Sequence, residues 1–321
     1  MRPNRSHAAT LGPVSHFFPA CPMQPLKALF ALLVLGVISH SVACAEPLLG
    51  PQGEETEPFR SQMWLVPSSG PNSAARAVLF RPPGDGPFRL AVVAHASTQN
   101  ALRRAQMPQP EYRALAAFLT TRGFAVLVPE RLGHGSTGGP YAEDQGGCDE
   151  ADYARSARAT AKQIALALDF MRGQSFVRKD AAVILGHSAG GWGALALANQ
   201  DPKMLASIVV FAPGRGGHAD DLPNQICAPR TLTAAATELG KAARVPVTWL
   251  VAGNDSYFPP AFSRQLVDAF RDGGGKVEFA VLPPSGSEGH WMVENEAGVS
   301  LAGPALERAL KLRKPVAVNW R

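Results

Sequence analysis

No apolar stretch in the sequence approaches the roughly 20 residues that a bilayer-spanning helix needs. The run Ala28–Ile38 covers about 11, which argues against an integral membrane protein. Runs of Lys and Arg interleaved with aromatics are missing too, and this excludes the basic groove of a nucleic-acid binder. There is no internal repeat and no low-complexity tract. Cysteine is scarce, at 4 in 321 residues, so a disulfide-dense scaffold is excluded as well. What is present is ordinary for a folded chain with a full core: 46% hydrophobic and 18% charged residues, with 31 glycines and 28 prolines for ordered turns.

The first 45 residues do not read as folded structure. Residues 23–45, MQPLKALFALLVLGVISHSVACA, offer Lys27 ahead of the apolar run and then Ala43-Cys44-Ala45 before Glu46. This is the layout of a secretory signal peptide cut after Ala45, with Met23 as the natural start and residues 1–22 as an extension without signal logic. A lipoprotein signal with Cys44 lipidated is the minor alternative, since Ser41 stands where such signals usually carry leucine. Removal of residues 1–45 leaves 28 basic against 26 acidic side chains, so the basic balance of the whole chain implies no acidic partner. It also leaves Cys148 and Cys227 as the remaining cysteines of an exported protein, which are expected to form one disulfide.

Eight β-branched or apolar runs are spaced along residues 46–321: 62–66, 77–81, 89–95, 124–129, 181–187, 206–213, 246–253 and 276–283. From RLAVVAH (89–95) onward they lack polar alternation, as expected of strands covered on both faces. Helical patterns lie between the later runs, several of them ending at a glycine. The β-α-β alternation predicts a single α/β domain over 46–321, with an eight-stranded, mostly parallel sheet and helices on both faces. The first three strands, lacking intervening helices, are expected to be antiparallel at one edge. Residues 214–244 form one long excursion without a strand, and such insertions often cap a site.

GHSAGGWG, residues 186–193, raises the question of chemistry. A lone GxSxG is a weak signal, but this one follows the strand AAVIL and enters the helical ALALANQ, the strand, tight turn and helix of a nucleophile elbow. A serine hydroxyl is a poor nucleophile until a base takes its proton, so a histidine and a carboxylate must follow. Of the histidines after residue 45, only His290, in PPSGSEGHWM, lies beyond the last strand; His187 is expected to pack or support, and His218 lies in the excursion. Asp255, two residues past PVTWLVAG, is the carboxylate at a strand end between serine and histidine. The order Ser188, Asp255, His290 is that of an α/β-hydrolase sheet.

From about residue 62 to 312 the chain resembles the α/β-hydrolases, most closely their dienelactone hydrolase-like and secreted serine esterase branches. Dienelactone hydrolases proper carry cysteine in the elbow, so Ser188 points to ester hydrolysis generally and away from dienelactone chemistry. The resemblance implies an oxyanion hole from the amides of Ala189 and of Ser97, in His95-Ala96-Ser97 where the family often has His-Gly-x. His95, Trp192, Tyr257 and Trp291 are candidate substrate contacts, with packing in the core as the alternative for the aromatics. The expected chemistry is cleavage of a small-molecule ester through an acyl-enzyme, with no metal, no organic cofactor, no nucleic acid and no stable membrane insertion. Amide or peptide hydrolysis by the same triad, and a non-catalytic binding protein on the same scaffold, remain the alternatives.

Overall fold

Continuous apolar runs fold as strands covered on both sides, and the computed structural model, which describes residues 48–70 and 73–312, has such a sheet at its centre. The leader expected from the sequence, with its expected cut after Ala45, start at Met23 and alternative lipidation at Cys44, lies outside the described residues. Nine strands are described: β1 (Gly50–Thr56), β2 (Ser61–Pro67), β3 (Ala74–Phe80), β4 (Arg89–Ala94), β5 (Phe124–Pro129), β6 (Ala182–His187), β7 (Leu205–Phe211), β8 (Val247–Ala252) and β9 (Val277–Leu282). Their order is β1-β2-β3-β5-β4-β6-β7-β8-β9. β5, β6 and β8 are buried along their whole length.

The expectation of eight strands misses β1. Its sequence, GPQGEET, carries no apolar pattern, because as an edge strand it faces solvent over most of its length and is held by backbone pairing to β2. A second correction concerns β4, expected to be antiparallel like the strands before it. β1, β2 and β3 do run antiparallel, and β3 is antiparallel to β5, but β4 pairs in parallel with both β5 and β6. The short β3–β4 link therefore carries the chain across β5 rather than into a hairpin.

Seven helices cover the sheet among the described residues: α1 (Ala101–Ala105), α2 (Arg113–Thr120), α3 (Tyr153–Arg172), α4 (Ala189–Ala196), α5 (Pro229–Lys241), α6 (Pro260–Asp272) and α7 (Glu296–Leu310). α2 and α7 bury Leu115, Leu119 and Leu306 on one face, while α3 to α6 bury Ile164, Trp192, Leu232 and Leu266 on the other. The excursion 214–244 is only half a loop. Its second half is α5, which buries Leu232, Ala235 and Ala236 and packs on α3 and α6. Its buried residues Leu232, Ala235, Ala236 and Leu239 recur at helical spacing, so a stretch that carries no strand still belongs to the core. Only the stretch before α5 remains free to border a site.

Because β4 to β9 are parallel, the segments that follow them leave from one edge of the sheet, where α/β folds bind ligands. Ser97, Ser188, Asp255 and His290 all lie on those segments.

Candidate active site

Ser188 occupies the turn between β6 and α4 with φ 52° and ψ −119°, a conformation that L side chains rarely adopt. The turn is locked by backbone bonds: the Ser188 amide donates to the Phe211 carbonyl at 2.9 Å, and the Ser188 carbonyl accepts the amides of Trp192 and Gly214. The turn is sharp because α4 starts almost against the neighbouring strand. A Cβ on Gly190 would collide with the carbonyls of Ala94 and His95, and one on Gly193 with the Thr160 side chain of α3. Ser188 thus stands at the positive end of α4, only 7% exposed.

Asp255 and His290 come from the segments after β8 and β9. His290 Nδ1 lies 3.0 Å from Asp255 Oδ2, and the carboxylate is fixed through Oδ1, which accepts the amides of Tyr257 and Phe258 at 2.9 and 2.8 Å. Both side chains are buried. Burial pushes the His290 imidazole below its ordinary pKa, with the bond to Asp255 opposing the shift. The ring is therefore neutral at pH 7 with Nδ1–H directed to the carboxylate, which leaves Nε2 able to accept a proton. Ser188 and His290 line the same cavity, and no hydrogen bond joins Ser188 Oγ to His290 among the described residues. Such bonds commonly tighten only when substrate binds.

Among the described residues, neither the Ser97 nor the Ala189 amide donates to another protein group, and both residues border the cavity. The Ala96 amide is not available, since it donates to Tyr112 Oη at 3.0 Å. Ser97 is held by its own side chain, whose hydroxyl lies 2.7 Å from His134 Nε2. Burial lowers the His134 pKa to about 4, so this ring stays neutral and accepts the Ser97 proton at Nε2 while Nδ1–H donates to the Arg131 carbonyl at 3.1 Å. Ala96 in place of the family's usual glycine causes no conflict, because it lies outside the positive-φ residues.

His95, expected as a substrate contact, is a structural residue. It is 1% exposed, and both ring nitrogens are used: Nε2 accepts the Arg131 amide at 3.1 Å, and Nδ1–H points at the Ala96 carbonyl. It forms part of a buried network that the sequence reading missed. Glu143 accepts Arg131 Nε at 2.5 Å, Arg215 Nη2 at 2.5 Å and Gln163 Nε2 at 2.9 Å. Burial alone would raise the Glu143 carboxyl, but the two guanidinium groups hold it well below the usual carboxylate range. Arg131 also donates to the His95 carbonyl at 2.8 Å, so the network supports the segment that carries Ser97.

The cavity measures about 640 Å³. Tyr257 and Trp291 line it as expected, Tyr257 stacked on the His290 ring at 4.2 Å between centroids and Trp291 edge-on to it at 5.1 Å. Trp192 does not reach it. The ring is wholly buried in the core under α4, with Nε1 donating to the Tyr153 carbonyl at 2.9 Å; Gly193 lets α4 approach Thr160 of α3, while Gly191 lies against the Gly186 backbone and Pro213. Cys148 and Cys227 form the expected disulfide, with their Cα atoms 5.0 Å apart, and tie the segment after β5 to the loop after β7 at the cavity wall. His187 supports the site from beneath: Tyr112 Oη lies 2.9 Å from its Nδ1, and its Nε2–H donates to the His290 carbonyl at 2.8 Å. Among the described residues no cluster of three or more His, Cys, Asp or Glu side chains could hold a metal, and no helix is long and apolar enough to cross a membrane.

Comparisons with known proteins agree with this fold. A family model described as serine aminopeptidase, S33, matches residues 109–239, a stretch that contains Ser188 and ends before Asp255 and His290. No curated protein matches the chain at the level of sequence. Among solved structures, a protein provisionally described as a dienelactone hydrolase from Klebsiella pneumoniae is 15% identical, with a TM-score of 0.50 over 78% of this chain and 98% of its own. An esterase from Pyrococcus furiosus is 14% identical, with a TM-score of 0.51 over 82% and 98%. The acylaminoacyl peptidase of Pyrococcus horikoshii is 13% identical, with a TM-score of 0.51 over 82% of this chain but only 44% of its own.

Proposed function

We propose that this chain, an α/β-hydrolase by fold, is an exported serine hydrolase that cleaves carboxylic esters through an acyl-enzyme. The observation that carries the reading is a buried imidazole, hydrogen-bonded at Nδ1 to Asp255, that shares one cavity with a serine at a strained strand-to-helix turn. In the proposed reaction Ser188 Oγ attacks the acyl carbonyl while His290 Nε2 takes its proton. The tetrahedral oxyanion accepts hydrogen bonds from the Ser97 and Ala189 amides, donors that need no reorganisation as the charge develops. His290 then returns the proton to the departing alcohol. Water, activated by the same imidazole, releases the acid. Asp255 holds the ring in the productive tautomer and stabilises its charged form. Export is supported by the Cys148–Cys227 disulfide, a feature of oxidising compartments, together with the leader expected from the sequence.

Tyr257 and Trp291 give the cavity an aromatic wall, which suits an apolar or aromatic acyl group. A series of p-nitrophenyl esters of increasing acyl length, run beside the matching p-nitroanilides, tests the substrate class. The expected result is ester turnover without measurable anilide turnover. Comparable rates on both would instead favour the peptidase reading, to which the acylaminoacyl peptidase and the S33 match lend support.

The pH dependence follows from His290. The base must be neutral to act, and burial sets its pKa below the ordinary value of about 6.5. The acid limb of kcat/KM is therefore expected to be centred below the ordinary histidine value, with activity lost as pH falls through it. An acid limb centred above the ordinary histidine range would contradict the assignment of His290 as base.

A further inference from the structure

The Asp255 and His290 segments follow different strands, and no ladder of sheet hydrogen bonds joins them at the point where the two side chains meet. The Gly289 amide donates to the Asn254 carbonyl at 3.3 Å and the Asn254 side chain bonds the Ser285 amide and the Gly286 carbonyl, but on the His290 side of these contacts the bridge is a carboxylate. Glu288 Oε1 accepts both the His290 amide at 2.9 Å and the Ser256 amide at 3.1 Å, and Oε2 accepts the Ser256 hydroxyl. The residues bridged are therefore His290 itself and the one immediately after Asp255. Burial opposes the charge on Glu288, but these hydrogen bonds hold its carboxyl below the ordinary value, so it is ionised wherever the enzyme works.

The bridge continues into the loop after β7. With its proton committed to Glu288, Ser256 Oγ accepts from His218 Nε2 at 2.8 Å. His218 has φ 56°, and its ring stacks on Tyr257 at 3.6 Å with the planes 8° apart. The opposite face of Tyr257 stacks on His290 at 4.2 Å and 19°. Two routes thus run from His218 to His290, one through the ring stack and one through Ser256 and Glu288.

We propose that Glu288 is a positioning residue that sets the distance between the Asp255 and His290 segments, and that His218 couples this distance to the seating of the loop after β7 against the cavity. The proposal rests on the Ser188, Asp255 and His290 reading given above. A helix-capping role accounts for only one of the three bonds, that from the His290 amide. The two bonds to Ser256 span 32 residues and cap nothing.

The test compares kcat, KM and melting temperature of Glu288→Ala, Glu288→Gln and Ser256→Ala on one p-nitrophenyl ester. Misplacing a reacting group by about 1 Å can cost about 10²-fold, and an effect of this order is expected in kcat for Glu288→Ala with KM unchanged. Glu288→Gln keeps an oxygen that accepts both amides, so it should recover most of the loss. Ser256→Ala leaves the Glu288 carboxylate on both amides and should lower kcat to a smaller extent, which keeps the proposal open to test if Glu288→Ala does not fold. Unchanged kcat in Glu288→Ala and Ser256→Ala would overturn the proposal. So would equal losses in the Ala and Gln variants that track melting temperature, because that pattern marks a merely structural carboxylate. Ser188→Ala in the same assay keeps the two ideas apart: activity surviving there defeats the serine-hydrolase reading itself, whereas activity lost there and intact in Glu288→Ala defeats only the positioning role.

Discussion

Ser188→Ala is expected to reduce kcat by about 10⁶-fold, the loss typical of removing the nucleophile of a serine triad, while leaving the fold intact. The side chain is almost fully enclosed, and its Oγ holds no hydrogen bond among the described residues, so removing it takes away no bond of the folded structure. Alanine at φ 52° is no more strained than serine. Circular dichroism and thermal melting should be indistinguishable from wild type. Residual hydrolysis would come from binding and the oxyanion amides acting on direct attack by water. A loss of only a few fold would mean that water attacks directly with His290 as its base, and Ser188 would then be a bystander.

Asp255→Asn is expected to cost about 10⁴-fold in kcat, for a different reason. Asp255 Oδ1 accepts the Tyr257 and Phe258 amides, and an asparagine oxygen can keep both bonds. Oδ2, which faces His290 Nδ1 at 3.0 Å, becomes an NH2 group that can only donate. The imidazole must then carry its proton on Nε2, the nitrogen that should accept the proton of Ser188. The structure is retained, the base is in the wrong tautomer, and KM should change little. Steady-state kinetics beside a melting curve separates this outcome from a folding defect, which would lower both.

The legible part of this molecule was the part carried by strand ends. Ser188, Asp255 and His290 each follow an apolar run, and the parallel sheet brings such positions to one edge whatever the detail of the intervening chain. Residues whose role depends on packing were opaque. Trp192 sits four residues after Ser188, but Ser188 is the N-cap of α4 with a non-helical backbone, so helical spacing does not align the two side chains, and the Trp192 ring is buried in the core. His95 sits at the mouth in sequence and under it in space, because Arg131 reaches across to occupy it. The Arg131–Glu143–Arg215 network unites residues 12 and 72 positions apart, a pairing that no local pattern announces. β1 has backbone pairing but no apolar periodicity, and the buried face of α5 rests on alanines beside Leu232 and Leu239. Glu288 was visible in SEGHWM, but its value lies in the Ser256 amide and hydroxyl, which only the folded chain supplies.

The central claim, that Ser188 is an activated nucleophile, is tested most directly by covalent labelling. The folded protein is treated with a fluorophosphonate probe, digested, and the modified peptide identified by mass spectrometry. The account predicts stoichiometric labelling of the peptide carrying Ser188, on that hydroxyl, abolished in Ser188→Ala and strongly slowed in Asp255→Asn. Folded wild-type protein that takes up no probe, or that takes it up at another residue, would contradict it.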